Sequence, residues 1–268
     1  MNDDQFRQLL DYFQYSWAGY RKVRKGVKKR VSRHMQDLNC PNIETYLDLI
    51  RQNDQEHQEC NRRMTVSISR FFRDRKLWLD LEKEILPGVL AHENDTLKVW
   101  SAGCARGEEV YSFMIVWDRL KTGLNRLPKL EFTATDIHPE YIEKARKGFY
   151  TRSSLKEVGD EIRDIYFEKK KGGSRYDVKA WLKENITWQV RNIFSDPPDA
   201  GFHIIFLRNN LLTYYRYRLI KKPLSKILKS LNSGGWLIIG SHEKLPDDES
   251  SGFTRNPATP WAYRKDVP

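Results

Sequence analysis

Apolar residues near the start of the chain recur at helical spacing. Phe6, Leu9, Leu10, Phe13 and Trp17 stand at i, i+3, i+4, i+7 and i+11, one stripe of an amphipathic helix. Over residues 21–33 (RKVRKGVKKRVSR, from Arg21 to Arg33), Val23, Val27 and Val31 fall four apart, so the valines can pack while the basic side chains face outward. Asn39, Pro41 and Asn42 break the pattern, and Ile43, Tyr46, Leu47 and Ile50 predict a further short helix. Residues 1–70 thus predict a small all-helical domain. Polar and apolar positions alternate from Thr65. Asp74 then stands where it can cap a helix carrying Leu77, Trp78, Leu81 and Ile85, which Pro87 ends, and Phe71 and Phe72 read as core.

The period changes at Leu97. Leu97, Val99 and Trp100 predict a strand, Gly103 and Gly107 a turn, and the apolar run 110–117 the helix that the turn opens. A polar turn over 121–129 leads to a second strand over 130–135 that ends at Asp136, followed by a helix over 139–146. Further strands are predicted at 186–190, 203–207, 236–240 and 261–265. Strands alternating with helices give the fold class α/β, a doubly wound sheet over 71–268. Residues 150–185 differ in character: Gly172-Gly173 between polar runs signals a hairpin, and either a small basic β excursion or an exposed loop satisfies it.

Composition narrows the function classes. The 268 residues suffice for one large domain and a small one, and 39% hydrophobic with 31% charged residues describes a soluble globular chain. No apolar run approaches the roughly 18 residues of a membrane span, and the start, MNDDQFRQLL, is not a signal peptide, so a cytoplasmic location without membrane insertion is expected. Cys40, Cys60 and Cys104 have no C-x-x-C spacing and the six histidines form no H-x-x-x-H cluster, so no metal is expected. The net charge of +11 points to an acidic partner: nucleic acid, an anionic membrane or a carboxylate-rich protein surface. Eight of the thirteen residues 21–33 are basic and none is acidic, which fits either a docking face or a solvated helix face.

The chemistry concentrates in LKVWSAGCARGEEV, residues 97–110. A phosphate cradle uses helix N-terminal N–H groups with a Lys or Arg, whereas Glu108 and Glu109 repel a diphosphate and attract a cation. The loop has neither the nucleotide-triphosphatase arrangement nor the three-glycine dinucleotide fingerprint. S-adenosylmethionine, with its sulfonium and ammonium, suits such a loop. An ordinary strand, turn and helix with acids complementing the helix dipole is the alternative. Asp136 sits at the end of the second strand, where an acid bonds ribose hydroxyls; it lies 33 positions past Gly103, the polar turn at 121–129 taking up the extra length. Ser195-Asp196-Pro197-Pro198 reads as a turn, and the position after strand 203–207 that should carry chemistry is Arg208-Asn209-Asn210-Leu211-Leu212-Thr213-Tyr214.

Taken together, SRFFRD, WSAGCARGEEVYS, ATDI and LRNNLLTYY behind a basic helical domain resemble the chemotaxis-receptor protein-glutamate O-methyltransferases, from the first helices to about Lys265. The resemblance implies an all-helical N-terminal domain and a Rossmann-like methyltransferase domain with a small antiparallel β subdomain inserted near 150–185. It also implies S-adenosylmethionine as cofactor and glutamates of receptor cytoplasmic helices as substrate. Carried over by motif, the cofactor contacts are Ser69 and Arg73 of the first motif, Ala102, Gly103 and Glu109 of the glycine loop, and Asp136 of the third. Asn192, Ile193, Asn209 and Asn210 complete them, with Glu109 at the donor's charged end and Asn192 at the adenine. Ser67, a further cofactor contact implied by the resemblance, stands where the family commonly has Asn, and Thr213 where it has a tyrosine near the methyl group. Val110 replaces a usual proline, and Gly240-Ser241-His242-Glu243 replaces Gly-His-Ser-Glu. These departures describe a divergent branch.

The implied reaction is an in-line displacement by a glutamate carboxylate, which titrates near 4.3 and needs no general base. Arg73 would orient the carboxylate, with Tyr214 or Tyr215 substituting for the displaced tyrosine, and residues 21–33 would dock the acidic protein. A methyltransferase acting on nucleic acid or a small molecule, and a non-catalytic S-adenosylmethionine-binding signalling module, are the competing readings.

Overall fold

The computed structural model describes all residues except 68, 93–94, 122–126, 171, 173, 200, 256 and 268. The chain forms two compact units, Met1–Ile68 with Leu211–Ile220, and Ser69–Asn210 with Lys221–Pro268.

In the first unit, helix α1 (Asp3–Tyr12) opens with a capping box in which Asn2 accepts from the Gln5 N–H at 2.8 Å and Gln5 returns a bond at 2.9 Å. The stripe from Phe6 to Trp17 predicts one helix, but the structure divides it. Gln14 turns left-handed (φ 57°), and a short α2 (Trp17–Tyr20) follows. The reason is tertiary: Tyr15 forms a bridge with Tyr215, and the Ser16 N–H donates to the Tyr214 carbonyl at 2.8 Å, so the backbone groups that would continue α1 are already engaged. Helices α3 (Arg24–Asp37) and α4 (Ile43–Gln52) bury Val27 and Val31, and Ile43, Tyr46, Leu47 and Ile50, as their spacing predicts. Helix α5 (Asp54–Met64) buries only Cys60 and Met64, too few apolar positions to signal itself. Tyr214 and Tyr215 pack against this core, with ring centroids 5.1 Å from Tyr20 and 4.9 Å from Tyr15.

The second unit begins with α6 (Arg75–Asp80), a π-turn at Leu81–Ile85 and α7 (Leu86–Leu90). Pro87 therefore does not end the helix. It lies directly after the π-turn, in a helical run that continues without a break from Arg75 to Leu90. Seven strands, β1 (Thr96–Ala102), β2 (Lys129–Asp136), β6 (Ile186–Val190), β7 (Phe202–Leu207), β8 (Leu231–Ile239), β9 (Phe253–Arg255) and β10 (Ala262–Lys265), form one sheet in the order β6-β2-β1-β7-β8-β10-β9. All neighbouring pairs are parallel except β8–β10 and β10–β9. Helix α8 (Glu108–Leu120) follows β1 and α9 (Pro139–Lys147) follows β2. Phe113 of α8 seals one sheet face against Phe132 and Phe206, at 5.1 and 5.8 Å between centroids. Each such fully buried side chain is worth about 1.5–3 kcal/mol.

From β1 the chain proceeds to β2 and β6 on one side, then resumes with β7 and β8 on the other, so the topological switch point lies between the carboxyl ends of β1 and β7. Strands β3 (Phe149–Thr151), β4 (Phe167–Lys169) and β5 (Arg175–Val178) form a separate antiparallel sheet in the order β3-β5-β4, the small β subdomain, with α10 (Asp160–Tyr166) between its first two strands. Gly173 of the expected hairpin turn and most of the polar turn at 121–129 lie outside the described residues.

Gly107 leaves no room for a side chain. Its φ is 86°, and a Cβ there would stand 2.9 Å from that of Ala145, 3.0 Å from the Trp188 ring and 3.1 Å from the Tyr150 hydroxyl. Gly107→Ala should lower unfolding free energy by about 1–3 kcal/mol, whereas Gly88→Ala, in α7 with nothing within 4 Å of the added atom, should raise it by about 0.5–1 kcal/mol. Urea denaturation of both variants checks the contrast, and equal effects would contradict it.

Candidate cofactor site

The loop after β1 is held by the end of β2. Gly103 (φ 80°), Ala105 (φ 49°) and Gly107 all take left-handed conformations. The Gly103 and Cys104 N–H groups both donate to the Thr135 carbonyl, at 2.9 and 2.8 Å. One Asp136 oxygen accepts from the Ala105 N–H at 2.9 Å and the other from the His138 N–H at 3.0 Å. Burial raises the Asp136 carboxyl above its ordinary value, and the two N–H bonds oppose that rise. Each oxygen keeps further acceptor capacity for a ribose hydroxyl.

At the facing strand end, the Asn210 amide donates to the Ala102 carbonyl at 2.5 Å, and a Cβ on Gly103 would collide with that amide nitrogen. The glycine is therefore required for β1 and β7 to meet here. Asn209 is left-handed (φ 55°) and its N–H donates to Glu243 at 2.9 Å.

Beneath these residues lies Arg208, its side chain 2% exposed. Nη1 donates to Glu109 at 2.9 Å; Nη2 donates to Asp74 and to the Arg73 carbonyl, both at 2.9 Å; and the guanidinium carbon stands 5.5 Å from the Trp78 ring centroid. The second Glu109 oxygen accepts from Ser101 Oγ at 2.7 Å. Burial alone would raise the Asp74 carboxyl, but the charge and hydrogen bond of Arg208, with a bond from Ser241, outweigh it and hold the group below its ordinary value. Asp74, Glu109 and Asp136 together outnumber the two cations near them, Arg208 and Arg73, whose charge also acts on Asp74. That field favours a cation and opposes a polyphosphate.

The sequence-derived site residues are distributed as follows. Ala102, Gly103, Glu109, Asp136, Asn209 and Asn210 meet at the ends of β1, β2 and β7, and the Arg73 backbone joins them through Arg208. The Arg73 side chain is half-buried, and its carbonyl also accepts from Trp78 Nε1 at 2.8 Å. Asn192 and Ile193 follow β6, where Asn192 Oδ1 accepts from the Phe194 N–H at 3.0 Å. Ser69 bonds Glu108, a carboxyl that burial raises above its ordinary value. Ser67 and Tyr214 belong to the helical unit. Glu109, expected at the donor's charged end, already has both oxygens engaged by Ser101 and Arg208. Arg208 was missed as a structural element, although a lone arginine closing the apolar strand HIIFL is itself a signal that buried acids must surround it. Asp74 takes the N-cap position of α6 but makes no cap bond, its carboxylate going to Arg208 instead. Among the described residues no group of three or more His, Cys, Asp or Glu could hold a metal, and no helix is long and apolar enough to cross a membrane.

A glycine loop at the switch point, facing an acid that ends β2, defines an α/β nucleoside-cofactor fold. Residues 67–260 match the family described as CheR methyltransferase, SAM binding domain, and the chain belongs to that family. S-adenosylmethionine is thus its cofactor, and the excess of carboxylate at the site fits a sulfonium. The chain is 31% identical over 190 residues to a chemotaxis protein methyltransferase of Listeria monocytogenes (71% of this chain, 70% of that protein). It is 34% identical over 187 residues to one of Vibrio parahaemolyticus (68% and 66%). It also matches, at 28% over 221 residues, an "Uncharacterized 104.1 kDa protein in hypE 3'region" of Rhodobacter capsulatus; that match takes in 82% of this chain and 23% of that protein.

The Asp74 carboxyl, held below its ordinary 3.8, contributes stability that is present above that pH and lost as pH falls through the folded value. Asp74→Asn should cost about 1.5–3 kcal/mol at pH 7, the gap to wild type closing below pH 3.8. Chemical denaturation across pH 2–7 checks this, and a pH-independent gap would contradict it.

Proposed function

We propose that the chain methylates glutamate side chains of an acidic protein, of the kind that the cytoplasmic helices of chemotaxis receptors present, and that it works in the cytoplasm. The observation that carries this reading is the basic face of the helical unit. Asp3 pairs with both Arg24 and Lys28, and Arg30 donates to the Arg63 and Thr65 carbonyls. Arg21, Lys22, Lys25, Lys29 and Arg33 are exposed, with no acidic partner among the described residues. Within α3, Lys25, Lys29 and Arg33 follow one another at i, i+4 spacing, so they share one side of the helix and match a polyanionic helix in register. The names of the Listeria and Vibrio relatives support the same reading.

S-adenosylmethionine, when bound, supplies an electrophilic methyl group on a sulfonium. Asp136, with Asn192, Asn209 and Asn210, would orient the nucleoside, and the carboxylate excess about Arg208 would favour the donor's positive end. Arg73 would orient the incoming carboxylate, and Tyr214 would stand in for the family tyrosine that Thr213 displaces. The nucleophile is ionised at neutral pH, so no residue of this chain need move a proton. The work that remains is to align the carboxylate and to exclude the water that would solvate it.

Label from radioactive donor, transferred to a receptor cytoplasmic fragment, should be released as volatile methanol by mild alkali. Alkali-stable label, or label on nucleic acid or a small molecule, would refute the ester. Lys25→Glu with Lys29→Glu should raise KM for the protein substrate about tenfold at low salt, an effect that shrinks as salt screens it, and leave S-adenosylhomocysteine affinity unchanged. Steady-state kinetics and calorimetry check this; an unchanged KM would contradict it.

A further inference from the structure

We infer that Glu243 is a positioning residue for the cofactor site, acting through Asn209. Parallel pairing of β7 and β8 ends at Leu207 and Ile239. Beyond that point neither strand can satisfy the other, yet both continue towards the site. Glu243 takes over the role of the ladder: its Oε2 accepts the Gly240 N–H at 2.7 Å and the Asn209 N–H at 2.9 Å, while its own N–H donates to the Gly240 carbonyl at 2.9 Å and closes the turn. One carboxylate oxygen thus fastens two strand ends together.

This fastening fixes more than the backbone. Asn209 is held left-handed, a conformation uncommon for a residue with a side chain, and its amide lies against Gly240, where a Cβ would stand 3.0 Å from both amide heavy atoms and 2.8 Å from Glu243 Oε2. Without the Glu243 acceptor, nothing among the described residues holds the Asn209 N–H in that direction. The side chain would then lose its set position next to Asn210, which touches Ala102. The same turn supplies Ser241 to Asp74, so it supports the Arg208 cluster as well. The order Ser241-His242 departs from the family's usual His-Ser, but Glu243 keeps its place, and the clamp depends on Glu243 alone.

The inference concerns cofactor placement and is independent of which carboxylate is methylated, so binding of S-adenosylhomocysteine to the full chain tests it without any methyl transfer. Glu243→Ala should weaken that binding about tenfold or more, and Glu243→Asp, with the oxygen one methylene short of both N–H groups, should behave alike. Glu243→Gln, whose amide oxygen can accept the same two bonds, should stay within about threefold. Asn209→Ala should lose affinity, and Glu243→Ala with Asn209→Ala should be no worse than the weaker-binding single variant, because Glu243 acts on the cofactor through the Asn209 side chain. Thermal unfolding of each variant confirms the folded state in which affinity is read; if Glu243→Ala does not fold, Glu243→Asp and Glu243→Gln carry the comparison. Wild-type affinity in the Ala or Asp variant, or additive losses in the double variant, would overturn the inference. Unchanged affinity in Asn209→Ala would overturn the placement of the cofactor against Asn209 and the inference with it.

Discussion

A guanidinium withdrawn from water is costly, and Arg208 is tolerable only because two carboxylates and a carbonyl receive it. That requirement organises the methyltransferase unit. Arg208 closes β7, Glu109 belongs to the first turn of α8 and Asp74 to the turn that opens α6, so a single side chain fixes three elements that are far apart in sequence. Its Nε finds no acceptor among the described residues. Asp136 adds a third acid, so the carboxylates outnumber Arg208 and Arg73 together, the local field stays negative, and a cationic cofactor benefits from it.

The glycine loop depends on a second buried acid used in a related way. Asp136 receives the Ala105 N–H of the loop and the His138 N–H that follows its own strand, while Thr135 receives the Gly103 and Cys104 N–H groups. The conformation is therefore imposed by hydrogen bonds from β2 and permitted by glycine at 103 and 107. Backbone is brought close where a nucleoside would lie, without any side chain in the way.

How much of this was legible in the sequence follows from the range of the forces involved. The strand, loop and helix from Leu97 to Trp117, and Asp136 at the end of the next strand, are written in local periodicity and glycine spacing, and the structure has them with small shifts of boundary. The division of the first helix was not legible, because Tyr214 and Arg216, some 200 positions away, take the Ser16 N–H and the Gln14 carbonyl. Pro87 does not end the helix because a π-turn, which leaves no periodicity to read, precedes it and the helical run continues past it. Asp74 was read as a cap, since capping is local, whereas its partner lies 134 positions along the chain. β9, three residues long and at the sheet edge, gave no alternation to detect.

The central claim is that the bend at Gly103 and Gly107, facing Asp136 and backed by an excess of carboxylate, admits an adenosyl group bearing a sulfonium or thioether in place of a polyphosphate. Isothermal titration of the unmodified protein with S-adenosylmethionine, S-adenosylhomocysteine and ATP tests it most directly. The account predicts saturable binding of the first two and none of ATP; uptake of ATP with no response to either adenosyl compound would contradict it.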